Sequence, residues 1–258
     1  MQSFPRAPLQ KIYDRLYKTF GQQHWWPAES PFEVIVGAIL TQNTNWTNVE
    51  KAIANLRGKG LLDLERLKEI SLNELAAHIR PAGYFNIKAR RLKNFIDFAC
   101  VQYKGSLTRM SRRPMMKLRE ELLEINGIGP ETADSILLYA FHKPIFVVDA
   151  YTKRMLVRHN WISRDSDYQS IQKLWMQSQG GDAAQYNEYH ALLVRLGKEF
   201  CRPNPRCEQC PLNAISYSLK HKCRICHRAF TPQEVRQTCL SAPQLMGQDS
   251  TCQACARF

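Results

Sequence analysis

Two groups of residues in this chain have the types and spacing to do chemistry. The first is the run Leu122-Leu123-Glu124-Ile125-Asn126-Gly127-Ile128-Gly129-Pro130-Glu131-Thr132-Ala133-Asp134. Gly127 and Gly129 permit positive φ and bring backbone amides to the surface. Ile128 between them is placed to pack inward and pin the turn. The amides then face outward at the start of the next helix, where the dipole also favours an anion. Such a device holds one DNA phosphate without reading a base. The second group is the cysteines. Only Cys100 lies in the first 200 residues, and the other eight crowd into 201–255. With no secretory signal visible at the N-terminus, that clustering reads as metal binding rather than a disulfide scaffold. Cys223-Arg224-Ile225-Cys226 and Cys252-Gln253-Ala254-Cys255 have the spacing of paired zinc knuckles, each bringing two thiolates to one tetrahedral metal.

The elements that must position these residues are helical. Leu9, Ile12, Tyr13, Leu16, Tyr17 and Phe20 recur at three and four residues and make one apolar stripe over 8–20. Pro31 opens a mostly apolar helix through Leu40, and Thr47 to Leu56 is amphipathic. Ser71-Leu72-Asn73-Glu74 has capping-box spacing, and Pro81-Ala82-Gly83 stops the helix that follows it. Further helices are expected over 87–103, 115–124, 131–141, 150–159, 167–178 and 183–199. No alternating strand of useful length and no internal repeat is visible. The fold class expected is all-α, with a helical core over 1–200 and a cysteine-rich metal-binding segment over 201–258.

Composition narrows the partners. The chain has 258 residues and a formal net charge of +13, with 44% hydrophobic and 23% charged residues. Residues 1–200 carry 28 basic and 20 acidic side chains, and 201–258 carry 8 and 3, so the excess is spread rather than gathered in a tail. A compact basic chain attracts polyanions, of which nucleic acid is the commonest; solubility alone is the plainer reading. Apolar runs such as Val34 to Leu40 are too short to span a bilayer. The expectation is an intracellular protein of the cytoplasm or nucleoid, monomeric, with double-stranded DNA as partner and no membrane.

A second motif, Lys143-Pro144-Ile145-Phe146-Val147-Val148-Asp149-Ala150-Tyr151-Thr152-Lys153-Arg154, follows the hairpin at 125–130. Together the two resemble the helix-hairpin-helix DNA glycosylases of the endonuclease III superfamily. Pro31-Phe32-Glu33 through Leu40-Thr41-Gln42-Asn43-Thr44 is similar to that family's helix and DNA-probing loop. The resemblance covers roughly residues 10–215 and implies a two-lobed fold. It implies that Asp149 is the catalytic carboxylate, stabilising positive charge on a flipped nucleotide's sugar and activating water. The plainer reading of Asp149 is an N-cap for the helix at Ala150, and the two roles are compatible. Family members that also cut the backbone carry a lysine where this chain has Glu131, and glutamate cannot form a Schiff base. The resemblance therefore implies base hydrolysis without lyase activity, and the closest branch is that of the 3-methyladenine (alkylpurine) glycosylases. Lys153 is the nearest lysine in sequence, but its matching position in relatives is not the nucleophile. The alternatives are a bifunctional glycosylase/AP lyase for oxidised pyrimidines and a non-catalytic DNA-binding module.

Trp25, Trp26 and Trp46 sit near the probing region; indole faces bind electron-poor or cationic purines by stacking and cation–π attraction, or else serve the core. Gln42 and Asn43 fill the gap left by a flipped nucleotide, or are plain loop polars. Cys201-x5-Cys207-x2-Cys210 resembles the family's [4Fe–4S] loop, with one residue fewer than usual in the first gap and Ser216 where the fourth thiolate belongs. Cys223 is the replacement fourth ligand in one reading, leaving Cys226, Cys239, Cys252 and Cys255 for zinc. In another, Cys223, Cys226, Cys252 and Cys255 bind zinc beside an incomplete or absent cluster. A disordered tail with free thiols is the third.

Overall fold

The computed structural model describes residues 8–179, 181–213 and 215, and the backbone of 221–222 and 229–230. Among the described residues there are twelve α-helices: α1 Leu9–Phe20, α2 Pro31–Leu40, α3 Trp46–Gly58, α4 Leu64–Glu69, α5 Leu72–His78, α6 Phe85–Tyr103, α7 Leu107–Ser111, α8 Met115–Leu123, α9 Pro130–Ser135, α10 Ala150–Arg158, α11 Tyr168–Gln179 and α12 Ala183–Glu199. A π-helical turn, Ile136–Ala140, continues α9, so the helix expected over 131–141 changes its winding half-way. Two short helices, α4 and α7, lack a periodic stripe and are visible only in the structure. Two two-residue strands, His221–Lys222 and Ala229–Phe230, pair antiparallel. Apart from that pair, the described residues form an all-α, two-lobed fold.

Helix α2 is the spine of one lobe. Ser30 caps it, its hydroxyl accepting from the Glu33 amide at 3.2 Å, and Pro31 occupies the first turn. Every residue from Phe32 to Leu40 is buried, because α3, α6, α9 and the π turn pack around it. In the second lobe, α1 returns to pack on α11 and α12, and α10 lies against α12. The π turn touches both α2 and α12 and so joins the lobes. Ser71 caps α5 through the Glu74 amide at 3.1 Å, as the capping-box spacing predicts. Leu212 and Ile215 are buried in the same core as the helices.

Polar groups inside the core are paired. Arg119 on α8 grips Asp134 on α9 with two bonds, Nε to Oδ1 at 2.7 Å and Nη2 to Oδ2 at 3.1 Å. Gln172 on α11 donates to Asp134 Oδ2 and to the Phe146 carbonyl, both at 2.7 Å. This network fixes the hairpin helices against the segment leading to Asp149. Lys88 on α6, also buried, donates to the Leu40 and Ala82 carbonyls at 2.9 and 2.8 Å and ties the end of α2 to the turn before α6. Burial and the nearby Arg91 charge bring its ammonium down to about 8.

Candidate DNA-binding and base-excision site

The hairpin is built as its sequence suggests, with one exception. Ile128 is 4% exposed and pins the turn from inside. Its amide is consumed by the Ile125 carbonyl at 3.0 Å, whereas the Gly127 and Gly129 amides donate to no acceptor among the described residues. Gly127 has φ +95°. Gly129 does not need positive φ: it sits at −94°, in extended backbone, as the N-cap of α9. The expected symmetry of the two glycines fails because the chain must already run extended to enter α9. A Cβ on Gly127 would also stand 2.2 Å from Arg91 Cγ, while one on Gly129 would meet nothing within 4 Å.

Arg91 and Gln42 brace this turn. The Gln42 amide donates to the Gly127 carbonyl at 3.0 Å and to Thr132 Oγ1 at 2.9 Å, and Arg91 donates to its Oε1. Gln42 thus has its polar atoms engaged within the protein, whereas Asn43, exposed and at φ +54°, stands at the tip of its loop. An open groove of about 560 Å³ runs along the turn, lined by Gln42, Arg91, the three hairpin residues 127–129, Pro130, Glu131, Thr132 and Tyr168.

Asp149 lies at the start of α10. Its Oδ1 accepts from the Thr152 amide at 2.7 Å, so the capping role is real. Its Oδ2 stands 3.6 Å from His190 Nε2 on α12. Burial pushes its carboxyl up, but the neighbouring His190 and the Thr152 amide outweigh it, and the carboxyl sits below its ordinary range. Glu131, in the first turn of α9, behaves oppositely. It keeps an exposed edge, yet protein crowds its carboxyl, and loss of water together with the negative Asp149 pushes it up to about 7. Two carboxyl groups that feel each other's charge are thus held in different protonation preferences.

The three tryptophans converge. Trp26 meets Trp46 edge-on, with centroids 4.9 Å apart, and Trp25 lies 5.8 Å from Trp26 and 6.2 Å from Trp46. Trp26 also packs on Tyr139 of the π turn at 5.1 Å. The loop carrying Trp25 and Trp26 is pinned on its N-terminal side. Arg195 donates to the Phe20 carbonyl at 3.1 Å and Glu188 accepts from the Gln23 amide at 2.8 Å; beyond them, buried Glu33 holds Arg57 at 2.6 Å. Gly37 lets Trp26 lie on α2, since a Cβ there would be 3.0 Å from Trp26 Cζ2.

The described cysteines do not form a metal cradle. Cys201 is buried, with Arg158 Nη1 3.4 Å from its sulfur; Cys207 is exposed. Among the described residues no three His, Cys, Asp or Glu side chains gather as ligands. Cys201, Cys207 and Cys210 are the cluster candidates that lie among the described residues, and they are not gathered there as a ligand group. Arginines anchor this loop instead: Arg154 donates to the Cys201 carbonyl at 2.7 Å, and Arg158 to those of Arg202 and Pro203 at 2.6 and 2.9 Å. Cys223, Cys226, Cys239, Cys252 and Cys255, with the zinc readings that use them, lie outside the described residues. Lys153 turns to the Ser166 carbonyl at 2.8 Å.

Hairpin, carboxylate and probing loop together match a known pattern: residues 36–178 fit the model of the HhH-GPD superfamily base excision DNA repair proteins. The chain belongs to that family. Among its relatives, "Putative DNA repair glycosylase MJ1434" of Methanocaldococcus jannaschii is 46% identical over 212 residues, covering 81% of this chain and 96% of the relative. Endonuclease III of Thermotoga maritima is 26% identical over 210 residues, 78% of this chain and 89% of that protein. Among solved structures, a Helicobacter pylori 3-methyladenine DNA glycosylase bound to 1,N6-ethenoadenine superposes with a TM-score of 0.65 at 27% identity, over 74% of this chain and 97% of that one. A non-covalent endonuclease III–DNA complex gives 0.70 at 22% identity over 82% and 94%, a likeness of fold. The protein is a base excision DNA repair glycosylase of this superfamily. No helix among the described residues is long and apolar enough to cross a membrane.

Sequence reasoning missed His190, Tyr139 and Arg91. Tyr139 donates to or accepts from His190 Nδ1 at 2.5 Å. The three lie within stretches expected only as helices, 87–103, 131–141 and 183–199, and no motif marks them.

Proposed function

We propose that the protein is a monofunctional DNA N-glycosylase that binds damaged duplex DNA as a monomer and hydrolyses off an alkylated purine, with Asp149 as the catalytic carboxylate. The observation that carries this reading is the pairing of an ionised Asp149 with Glu131, rather than an amine, at the exit of the hairpin. The hairpin amides and the groove beside them take a phosphate, which sets the register of the duplex. The target nucleotide leaves the stack, and Asn43 at its loop tip enters the space vacated; Gln42 does so only by giving up its bonds to Gly127, Thr132 and Arg91.

The base goes to the wall of Trp25, Trp26 and Trp46, whose faces suit an electron-poor ring. A relative solved with an ethenoadenine bound supports a modified purine as the ligand. As the glycosidic bond lengthens, positive charge grows on the sugar. Asp149 already holds its negative charge when that happens, and a preorganised charge in a site shielded from water costs no reorganisation at the moment of reaction. Water adds to C1′ on the face Asp149 commands, its proton passing to the carboxylate, and the product is an intact strand bearing an abasic site. The Lys153 amine, held by Ser166, takes no part.

Duplexes carrying a methylated purine, a deaminated base or an oxidised pyrimidine test the assignment together. Release of the methylated purine, with no strand cut until hot alkali and no covalent adduct under borohydride, is the expected result. Asp149→Asn keeps the capping oxygen and the fold but loses release by about 10³-fold or more, with duplex binding retained. Efficient borohydride trapping, or near-normal release by Asp149→Asn, overturns it.

A further inference from the structure

We infer that His190, with Tyr139 behind it, is the positioning residue of the Asp149 carboxylate: a directed N–H that keeps the carboxylate aimed and charged before the nucleotide arrives. The inference rests on the assignment of Asp149 made above.

The geometry is a chain of three side chains on three elements. Tyr139 comes from the π turn, His190 from α12 and Asp149 from the start of α10. Tyr139 oxygen and His190 Nδ1 are 2.5 Å apart. That bond fixes the ring's rotation and leaves Nε2 directed at Asp149 Oδ2, 3.6 Å away. His190 is 6% exposed, and its Nε2 is buried with no closer hydrogen-bond partner. An imidazole nitrogen withdrawn from water normally finds a partner at hydrogen-bond distance. Here it stops just short of the one carboxylate oxygen that the Thr152 amide does not hold. Catalytic hydrogen bonds are commonly long in the free enzyme and tighten in the complex.

The Phe146 ring meets the imidazole edge-on at 6.4 Å, and the π turn holds Tyr139 against Trp26. The base-binding wall and the carboxylate are therefore linked through one hydrogen-bonded ring. Other charges nearby act against the carboxylate or are neutral. Glu131 on α9 repels it, and Tyr139, fully buried, is held neutral, its phenol pushed well above the ordinary value by burial and by Asp149 itself. On α10, Lys153 is tied to Ser166 and Arg154 to the Cys201 and Gly197 carbonyls. His190, with the Thr152 amide on the other oxygen, is left to oppose the cost of burying Asp149.

The test is a pH profile of single-turnover release of a cationic N7-methylguanine, which leaves without needing a proton, in a Glu131→Gln background that removes the other nearby titration. With His190 in place, release in that background is expected to hold its rate down to the acid edge of folding. His190→Phe fills the aromatic space without a donor or charge. It is expected to slow release roughly 10- to 100-fold at neutral pH with duplex affinity unchanged, and to move the acid limb up by about one pH unit or more. His190→Gln, which restores an N–H, recovers part of the rate. Tyr139→Phe, which removes one hydroxyl and keeps the fold, moves the limb the same way by less, and carries the test if His190→Phe does not fold. A limb that stays in place in a folded His190→Phe, or in Tyr139→Phe when that is the one available, overturns the inference and makes the pair a packing feature. If Asp149→Asn itself releases base, the underlying assignment has failed instead, and the two results are told apart.

Discussion

Gly127→Ala isolates what the hairpin demands of its backbone. At φ +95° an L-residue pays a left-handed penalty of about 1–2 kcal/mol. The new methyl would also stand 2.2 Å from Arg91 Cγ, so Arg91 must withdraw. Its bond to Gln42 goes with it, and Gln42 in turn holds the Gly127 carbonyl and Thr132. Losing one or two such bonds adds about 0.5–1.5 kcal/mol each. The expected loss is about 2–4 kcal/mol in urea unfolding, with a shallower salt dependence of binding to intact duplex as the phosphate contact is lost. Gly129→Ala, in extended backbone with nothing within 4 Å, is the internal control and is expected to cost about 1 kcal/mol or less. In an Arg91→Ala background, Gly127→Ala should cost only its backbone share, because the clash has been removed. Equal destabilisation by the two glycine variants, or a Gly127→Ala cost unchanged by Arg91→Ala, would refute the account.

Arg119→Met leaves buried Asp134 without its cationic partner, and is expected to lose about 3–5 kcal/mol of stability by thermal or chemical unfolding. Glu131 has a folded-state carboxyl raised to about 7 from 4.5. The folded state therefore binds the extra proton: this contribution is fully present below about 4.5 and is lost as pH rises through about 7, so the urea midpoint should fall across that window and Glu131→Gln should flatten it. Lys88 has the reverse sense for a base: with its ammonium lowered to about 8, the unfolded chain binds the extra proton between 8 and 10.5, so stability should rise with pH over that range. Lys88→Met unpairs the Leu40 and Ala82 carbonyls, should cost about 1–3 kcal/mol and should abolish that rise. Gly37→Ala presses on Trp26 at 3.0 Å and is expected to slow base release with duplex binding intact, read by single-turnover kinetics.

The helices were legible because each must bury one face, and that need writes a 3.6-residue period into the sequence. Ser71 before Glu74 and Pro31 marked true helix starts, since capping and first-turn preferences are local to near neighbours. The hairpin turn and the Asp149 cap were legible for the same reason: each is built from near neighbours in the chain. Short helices such as α4 and α7 escaped, because one or two turns give the period nothing to repeat. The π turn escaped because its winding answers to packing between α2 and α12.

What tertiary structure decided is every relation between residues far apart in the chain. Composition cannot say that Gln42 spends its amide on the hairpin, or that Gly129 needs no left-handed backbone. Nor can it bring His190 beside Asp149, or Trp26 against Tyr139. Glu131 reads as an ordinary first-turn acid; only the crowding of its carboxyl and the neighbouring Asp149 make it reluctant to ionise. The cysteine spacing illustrates the same limit from the other side. Spacing states how far apart thiolates are along the chain, and whether they converge depends on a loop that Arg154 and Arg158 hold by its carbonyls. Local order is written in periods and caps, while the electrostatics of a site belong to whatever the fold places within a few ångströms of it.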